Sequence, residues 1–380
     1  MTKKNAIIIG TEPWSLINFR GELIKSLKDN GYSVLAVSKG LDGAMLEDSL
    51  FEQFQSNSIS HFVLNFHRGK LAPIRDLILL YKLFNLLNKE KPDFVLAYTI
   101  KPVIWSGLAA RFAGVPFYGL ITGTGFVFQG TSFFRKMIRF ISINLYREAL
   151  RRSKHVFFQN SENEKIFKSN RIVRSRRHSI VNGSGVDLSK FSLKPLPAEK
   201  NVLTFLCIAR LLGDKGLREY FRAAQLVKKK YPETKFLLVG PKDSSPDAIA
   251  SKEIDLWVRD GSIDYLGEAT DVRPHIERCH VYVLPSYHEG LPRSSLEAMA
   301  MGRPILTTTA SGCRETVVEP ANGFKVPVKS VGKLAEKLIW FIENTDKLER
   351  MAVKSREIAE ERYDVHKVNR HITDIIGVTT

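Results

Sequence analysis

Short apolar segments alternate with helical segments along the whole chain, and the alternation occurs in two successive series. Alternating strands and helices are typical of doubly wound parallel sheets that carry helices on both faces. In the first series the apolar runs predict strands at 6–9, 33–37, 61–64, 94–98, 116–121 and 155–159, with helices at 19–30, 73–90, 102–113 and 132–152. The pattern therefore restricts the chain to the α/β class.

A turn-rich segment at 182–187 and a linker with two prolines at 194–200 interrupt this pattern before it starts again. The second series predicts strands at 203–208, 235–239, 263–266, 281–284, 305–308 and 323–326, and helices at 216–230, 249–260, 271–279, 293–301, 331–344, 346–361 and 365–376. The length of 380 residues agrees with two domains. We predict one Rossmann-like domain at 1–194, with the C-terminal helix at 362–380 packed back on it, and a second at 195–361.

Composition excludes several classes of protein. Hydrophobic residues make up 44% of the chain, which argues against disorder. The apolar run at 6–9 is too short for a signal peptide, and charged residues interrupt the apolar stretch at 74–87, so we expect a cytoplasmic protein. The cysteines Cys207, Cys279 and Cys313 are far apart and are expected to be buried thiols.

Two carboxylates eight positions apart, Glu289 and Glu297, lie in a predicted strand–loop–helix unit that reads Glu-Gly-Leu-Pro-Arg-Ser-Ser-Leu-Glu. Loops at the carboxyl ends of parallel strands, next to helix N-termini, are where open α/β sheets bind phosphorylated ligands. A carboxylate there can accept two hydrogen bonds from a sugar diol. At this spacing alone, two solvated acids at a helix start would be the simpler interpretation.

Two cations, Arg210 and Lys215, follow the first predicted strand of the second domain, with glycines between and after them. Arginine can bind phosphate oxygens in a bidentate manner, and lysine adds a point charge beside free helix N–H groups. The pair suits a diphosphate. A basic surface loop is the alternative.

Together these motifs resemble the retaining glycosyltransferases of family 4, which have the GT-B fold. The resemblance implies two Rossmann-like domains that face each other across a cleft, the N-terminal one binding the acceptor and the C-terminal one the nucleotide sugar. It implies that Glu289 contacts the donor sugar, that Glu297 holds the ribose, and that Arg210 and Lys215 neutralise the diphosphate. Because no Asp-x-Asp triplet occurs in the chain, we expect these cations, rather than an essential metal, to stabilise the leaving group.

The resemblance also implies further donor contacts. They are Gly240 and the strand end at Leu266 and Gly267, then Glu315, and the motif residues Gly290, Leu291 and Pro292. On the acceptor side, three loops that each follow a predicted strand supply Asn18, Arg20, Lys101, Gly123, Thr124 and Gly125. Arg20 either reaches an anionic acceptor or forms a surface ion pair. Many relatives have a histidine in the N-terminal domain that contacts the donor sugar, but this chain has none between His67 and His155.

The positive charge is concentrated in one region. Of a net charge of +17, the segment 132–178 contributes thirteen Lys and Arg against three Glu. It begins with a predicted amphipathic helix whose aromatic and basic residues suit an anionic membrane interface. The residues expected there are Phe133, Phe134, Arg135, Lys136 and Arg139. The alternative is an ordinary domain helix, and no nucleic-acid reader motif accompanies the charge.

The resemblance is to the branch of the family that assembles bacterial polysaccharides and N-glycans. It implies transfer of a sugar, an N-acetylhexosamine such as GalNAc or GlcNAc, from a UDP-sugar to an undecaprenyl-diphosphate-linked saccharide. The protein would then be peripheral on the inner face of the cytoplasmic membrane. The alternatives are a soluble transferase with a small acceptor and a degenerate scaffold that only binds sugar nucleotide. A dehydrogenase lacks support because no Gly-x-Gly-x-x-Gly follows either first strand.

Overall fold

The computed structural model describes residues 4–40, 52, 54–56, 58–66, 72–123, 133–173, 177–199 and 201–378. Within them the chain divides into two compact units. The first comprises residues 1–184 and 368–380, and the second comprises residues 185–367.

The first unit is built on a parallel sheet of seven strands among the described residues. The strands are β1 (Lys4–Ile9), β2 (Tyr32–Ser38), β3 (Ser60–Val63), β4 (Phe94–Tyr98), β5 (Phe117–Ile121), β6 (His155–Phe158) and β7 (His178–Ile180). They lie in the order β3-β2-β1-β4-β5-β6-β7. The order reverses between β1 and β4, which makes this the topological switch point of the sheet.

Helices cover both faces of this sheet. Those in the first part of the chain are α1 (Pro13–Asp29), α2 (Pro73–Glu90), α3 (Ile100–Ala113), α4 (Phe133–Leu150) and α5 (Ser161–Ser169). Apolar faces of α2, α3 and α4 share one buried core on one side of the sheet. A separate core on the other side contains α1 and two C-terminal residues, Ile372 and Val378.

The second unit repeats the same topology with six parallel strands, β8 (Thr204–Ile208), β9 (Lys235–Val239), β10 (Asp264–Tyr265), β11 (Val281–Leu284), β12 (Ile305–Thr308) and β13 (Gly323–Val326). The strand order is β10-β9-β8-β11-β12-β13, so the switch point lies between β8 and β11. Its helices are α6 (Leu217–Lys228), α7 (Ser251–Arg259), α8 (Arg273–Glu277), α9 (Arg293–Ala300), α10 (Val331–Glu343) and α11 (Leu348–Ile358). Helix α12 (Val365–Ile376) follows, and from Val368 onward it belongs to the first unit. The predicted α/β class with doubly wound parallel sheets is confirmed in both units.

The division into units falls earlier than the predicted boundary at 194/195. Gly185 packs against Val365, where a Cβ would be 2.5 Å from the Val365 Cα, and the amide of Val186 donates to the carbonyl of Tyr363. Arg356 then donates to the carbonyl of Phe191 at 3.0 Å. The segment after Ser184 therefore belongs to the second unit, because backbone pairing and an arginine attach it there.

Other differences concern weak sequence signals. Helix α1 begins at Pro13 rather than at residue 19, because a proline is tolerated in the first helical turn. Strand β7 and helix α5 were not predicted. β7 is a short strand at the edge of the sheet and has no fully buried residue, so it lacks the apolar run that marks the other strands.

Candidate functional site

The carboxyl edge of the second sheet brings together the residues predicted to bind the donor. Strands β9, β8, β11 and β12 are adjacent, and the loops that follow them hold Gly240, Arg210 with Lys215, Glu289, and Glu315. Because the strands are parallel, all these loops emerge at one edge, and those after β8 and β11 flank the switch point.

Lys215 and Glu289 form an ion pair at this switch point. The ammonium Nζ donates to the carboxylate Oε1 at 2.7 Å, and the two side chains are only 14% and 16% exposed. Burial alone would lower the pKa of Lys215, but the charge and the hydrogen bond of Glu289, with Asp214, raise the pKa above its ordinary value. Lys215 therefore keeps its positive charge although it is largely withdrawn from water.

Glycines and main-chain hydrogen bonds fix the loop of Glu289. Gly312 has a φ of +81°, and a Cβ there would lie 2.5 Å from the carbonyl oxygen of Glu289. The amide of Glu289 donates to the carbonyl of Ser311 at 3.1 Å. Gly216, with a φ of +70°, lets the turn that bears Lys215 pack directly on the main chain of Pro285. These contacts require glycine because any side chain would collide with backbone.

Arg210 is exposed at the end of β8 and pairs with an acid from the neighbouring loop. Its guanidinium donates to Asp243 Oδ2 at 2.9 Å. Burial would raise the pKa of Asp243, but hydrogen bonds with Ser245 and the charge of Arg210 lower it below its ordinary value. Asp243 is therefore ionised and neutralises Arg210, and the sequence analysis did not identify it.

Glu297 lies one helical turn beyond Arg293 on α9 and accepts a hydrogen bond from it at 2.8 Å. Burial raises the pKa of Glu297, while the charge and hydrogen bond of Arg293 oppose that rise. The spacing of four residues on a helix brings two side chains onto one face, so this partner was readable from the sequence. Pro292 precedes the helix, and its carbonyl accepts from the amide of Ser295 at 3.1 Å.

The remaining predicted donor residues lie on neighbouring loops of the same edge. The amide of Gly240 donates to the carbonyl of Gly267 at 2.8 Å, and the Tyr265 hydroxyl donates to the carbonyl of Gly240 at 2.9 Å. Leu266, between them, is exposed. Glu315 accepts from the amide of Gly312 at 2.7 Å and so supports the glycine beneath Glu289. Gly290 and Leu291 continue the loop and are partly buried.

In the first unit the switch point lies between β1 and β4 and carries hydroxyl groups. Thr11 follows β1 and Thr99 follows β4, and their hydroxyl oxygens are 2.7 Å apart. Thr99 has a φ of +69°, a strained conformation for a β-branched residue. Nearby, Lys39 forms an ion pair with Glu12 at 3.1 Å. Thr11, Glu12 and Thr99 lie in the predicted acceptor loops, but none of the four residues was named as a candidate contact, because such residues at strand ends carry no distinctive sequence pattern.

The predicted acceptor residues lie at different depths. Arg20 is 1% exposed, with its guanidinium carbon 5.2 Å from the centre of the Tyr98 ring, so it lies in the interior of the unit rather than at its surface. Asn18 is exposed and donates from its side-chain amide to the carbonyl of Trp14 at 3.0 Å. Lys101 pairs with Asp76 at 3.0 Å. Gly123 ends the described part of its loop, and the predicted residues Thr124 and Gly125 lie outside the described residues.

Helix α4 exposes part of its apolar surface. Phe133 and Phe140 are 86% and 67% exposed, whereas residues nearer the end of the helix, such as Ile143 and Tyr146, are buried. Arg135 and Lys136 are also exposed, Arg139 is partly buried, and the side chain of Phe134 is not among those described. The predicted single apolar face is therefore divided: its first half faces outward and its second half packs on the sheet.

Searches of the described residues for two further features gave negative results. They contain no cluster of three or more His, Cys, Asp or Glu placed to hold a metal ion. They also contain no helix long and apolar enough to cross a membrane. All three cysteines are free and buried, and burial raises the pKa of the Cys279 and Cys313 thiols to about 12.

Solved structures of similar fold identify the fold class of the chain. The chain resembles Anabaena HepE, crystallised with UDP and glucose, with a TM-score of 0.77 and 19% identity over 98% of this chain and 99% of that one. The two doubly wound units have the GT-B fold of glycosyltransferases.

Two family models match successive parts of the chain, "Glycosyl transferase 4-like" at residues 16–160 and "Glycosyl transferases group 1" at residues 202–344. The chain belongs to this family of glycosyltransferases. The expected family and enzyme class are thereby confirmed.

Two curated relatives extend over most of the chain. The N,N'-diacetylbacillosaminyl-diphospho-undecaprenol alpha-1,3-N-acetylgalactosaminyltransferase of Campylobacter jejuni is 28% identical over 342 residues, which is 87% of each chain. The UDP-Gal:alpha-D-GlcNAc-diphosphoundecaprenol alpha-1,3-galactosyltransferase of Escherichia coli is 26% identical over 304 residues, which is 77% of each chain.

Proposed function

We propose that the protein is a retaining glycosyltransferase that moves a sugar from a UDP-sugar to an undecaprenyl-diphosphate-linked saccharide at the cytoplasmic face of the membrane. The observation that carries this proposal is the buried Lys215–Glu289 pair at the switch point of the second sheet, with Arg210 at the end of β8 and Glu297 on helix α9 beside it. A cation and a carboxylate held together there suit a ligand that is anionic at one end and a sugar at the other.

The charged residues have separate roles in the proposed reaction. The bond between the anomeric carbon and the UDP oxygen breaks, and negative charge develops on the departing diphosphate. Lys215 and Arg210 stabilise that charge from fixed positions, which is worth more in a partly buried site than in water. Glu289 orients the sugar, Glu297 binds the ribose diol, and the backbone of Gly240, Leu266 and Gly267 faces the base. The acceptor hydroxyl then attacks the anomeric carbon from the face that the diphosphate leaves and gives its proton to the departing diphosphate oxygen, so the configuration is retained.

The relatives support the choice of substrates. Anabaena HepE was crystallised with UDP, and the names of the relatives from Campylobacter jejuni and Escherichia coli both specify an acceptor on diphosphoundecaprenol. The Campylobacter jejuni enzyme transfers N-acetylgalactosamine, which favours an N-acetylhexosamine as the sugar moved here. We extend these properties to this chain because the similarity runs through both of its units.

The first unit would bind the acceptor. Hydroxyls of Thr11 and Thr99 at its switch point can exchange their mutual contact for hydrogen bonds to a sugar. The predicted roles of Asn18, Arg20, Lys101 and the loop from Gly123 to Gly125 in acceptor binding remain part of this proposal. Exposed Phe133 and Phe140, beside Arg135 and Lys136 on α4, would contact the anionic membrane in which the lipid acceptor lies.

The experiment that tests the proposal measures UDP release from a panel of UDP-sugars in the presence of EDTA. Each donor is assayed with and without an undecaprenyl-diphosphate-linked saccharide in detergent, and the anomeric configuration of the product is read by nuclear magnetic resonance. We expect release that requires one donor and the lipid acceptor, persists in EDTA and gives an α-linkage from an α-donor. Donor binding without release would favour a binding-only scaffold, and release with a small soluble saccharide alone would favour a soluble transferase.

A further inference from the structure

Helix α2 presents large apolar side chains on two opposite faces. Its inner face packs into the core of the first unit through Leu79, Leu83, Leu86 and Leu87. Its outer face carries a second apolar row, with exposures of 76% for Ile74, 61% for Leu77, 50% for Ile78 and 65% for Tyr81. We call these four residues the outer stripe. Their spacing of three and four residues places them in one line along the helix.

The outer stripe is a contiguous exposed patch of four large apolar side chains. Single apolar residues scattered over a surface are normal, but a contiguous patch marks a place where another surface binds. The inner face alone already attaches the helix to the sheet. The outer stripe is therefore not needed to fold the first unit, and its exposure costs solubility.

The charges around the outer stripe indicate what binds there. Arg75 and Lys82 are exposed on the same helix. The only carboxylate between residues 73 and 82 is Asp76, which is buried and paired with Lys101 at 3.0 Å. Among the described residues, the outer half of this helix thus combines apolar side chains with positive charge that no carboxylate of the same half opposes. That combination fits an anionic lipid surface, whereas a second copy of the same face would bring like charges together.

The location of the stripe agrees with the surface of α4. Helix α3 packs against both α2 and α4, and all three share one core on one side of the sheet. Each follows a parallel strand, so their N-terminal turns lie at the carboxyl edge of that sheet. The outer stripe and Phe133, Met137 and Phe140 occupy the N-terminal halves of their helices, about 16–20 Å apart for two successive helix packings.

We propose that the outer stripe is a second bilayer contact, which enters the interface of an anionic membrane together with the N-terminal half of α4. The inference rests on the proposed function, which supplies the bilayer through its lipid-linked acceptor. A protein bound through one amphipathic helix can rotate about the axis of that helix. Two contacts on the same unit fix the orientation of the unit relative to the membrane. The carboxyl edge of the first sheet, with Thr11 and Thr99, is then held near the depth of the lipid diphosphate.

A site-specific probe tests this contact. The native cysteines are buried, so a Leu77→Cys variant can be labelled at that position alone with an environment-sensitive fluorophore. With vesicles of phosphatidylglycerol and phosphatidylethanolamine, we expect a blue shift of the probe and quenching by nitroxide-labelled lipid. Leu256→Cys is the matched control, because Leu256 is 62% exposed on a helix of the second unit. A probe at position 77 that behaves like the control would overturn the proposal.

A second experiment measures vesicle flotation. The variant Ile74→Ser, Leu77→Ser, Ile78→Ser and Tyr81→Ser should lose more than about tenfold in its vesicle partition coefficient, since each buried apolar side chain adds to binding. The matched control replaces four exposed apolar residues of the second unit by serine, at Leu226, Leu256, Val258 and Val353, and should float like the wild type. Circular dichroism and thermal unfolding establish that both variants are folded.

The outcomes separate the two proposals. If the stripe variant floats like the wild type while Phe133→Ser with Lys136→Ala does not, the second contact is wrong and membrane binding through α4 stands. If the wild type itself does not bind anionic vesicles, the membrane part of the proposed function is wrong as well. If the stripe variant instead abolishes a concentration-dependent dimer seen by light scattering and leaves flotation unchanged, the stripe binds a second copy of the chain.

Discussion

The two sheets have the same strand order around their switch points, but different groups occupy these points. In the first unit the loops after β1 and β4 bring two neutral hydroxyls together, those of Thr11 and Thr99. In the second unit the loops after β8 and β11 bring together a cation and an anion, Lys215 and Glu289. The topology fixes where a ligand can bind, and the loop residues decide whether it can be charged.

The charged switch point is also the more constrained one. Lys215 and Glu289 are both largely buried, so each is needed to offset the cost of withdrawing the other from water. In the proposed reaction, a diphosphate bound to Lys215 would replace part of that compensation and release Glu289 to accept hydrogen bonds from a sugar. The ion pair therefore holds both side chains in place for their separate proposed partners.

The largest expected effect comes from removing the cation of that pair. Lys215→Ala removes leaving-group stabilisation and leaves Glu289 without its partner, and we expect kcat to fall by about 10²- to 10³-fold, the usual cost of losing one preorganised charge donor. The control is Lys230→Ala, which breaks an exposed Lys–Glu pair of the same unit with Glu343. Steady-state kinetics with saturating donor check the prediction, and equal losses in the two variants would contradict it.

Removal of the anion should have a smaller effect that also depends on pH. Glu289→Gln should lower kcat about ten- to a hundredfold, because a hydrogen bond to a charged group contributes about 1.5–3 kcal/mol. Donor affinity near neutral pH should change less, since Gln still fills the position. The decisive measurement is turnover, and wild-type kcat in this variant would remove Glu289 from the reaction.

The same variant sharpens the electrostatic argument. If charged Lys215 binds the diphosphate as proposed, UDP affinity should fall as pH rises through the pKa of that lysine. Glu289 raises this pKa in the wild type, and its replacement by Gln removes that effect. We therefore expect the alkaline decrease in UDP affinity to begin at lower pH in Glu289→Gln. Calorimetric titrations across the alkaline range measure UDP affinity in both proteins. If the decrease begins at the same pH in both, Glu289 does not determine the pKa of Lys215.

Arg210 tests whether the second cation contributes through binding alone. Because it is exposed and already paired with Asp243, Arg210→Ala should weaken UDP binding by about tenfold, at the lower end for a charged hydrogen bond. Lys230→Ala is again the control, since Lys230 forms an exposed pair with Glu343 beyond the C-terminal end of α6, at the opposite end of that helix from the predicted contacts. Wild-type UDP affinity in Arg210→Ala would contradict the diphosphate assignment.

The sequence predicted the buried strands of the fold better than its edge strands. The bounds of β9, β11, β12 and β13 agree with the prediction. β9 and β11 are nearly continuous apolar runs, as expected for parallel strands that two helical layers bury. Edge strand β7 lacks such a run and was missed.

The sequence likewise predicts side-chain partners that are close along the chain better than partners that are far apart. The Arg293–Glu297 pair follows from helical spacing, whereas Lys215 pairs with a residue 74 positions away and Arg210 with one 33 positions away. The sequence predicted which edge these residues share, but not which acid each cation would meet, because adjacent strands place several acids within reach. Asp243 was not identified for that reason.

The switch point of the first unit carries hydroxyls and is proposed to bind the acceptor. A substitution there should therefore change acceptor binding and leave donor affinity unchanged. Thr99→Gly removes one hydroxyl and also relieves the positive φ, which costs a β-branched residue about 1–2 kcal/mol. We expect the acceptor KM to rise a few-fold while UDP affinity and thermal stability are maintained. Lys91→Gly relieves a similar conformation, with a φ of 43°, away from the switch point and should leave the acceptor KM unchanged. A loss of UDP affinity in Thr99→Gly would break the separation of roles between the units.

The smallest effect is expected at Glu297, and it appears in stability. Burial raises the pKa of Glu297 above its ordinary value of 4.5 in the folded protein. A raised carboxyl pKa contributes stability that is present below the ordinary pKa and lost as pH rises through the folded one. Glu297→Gln has no proton to lose, so its stability relative to the wild type should increase as pH rises above about 4.5 through that range. Denaturant unfolding at a series of pH values measures the difference. A constant difference would mean that Arg293 fully compensates the buried charge.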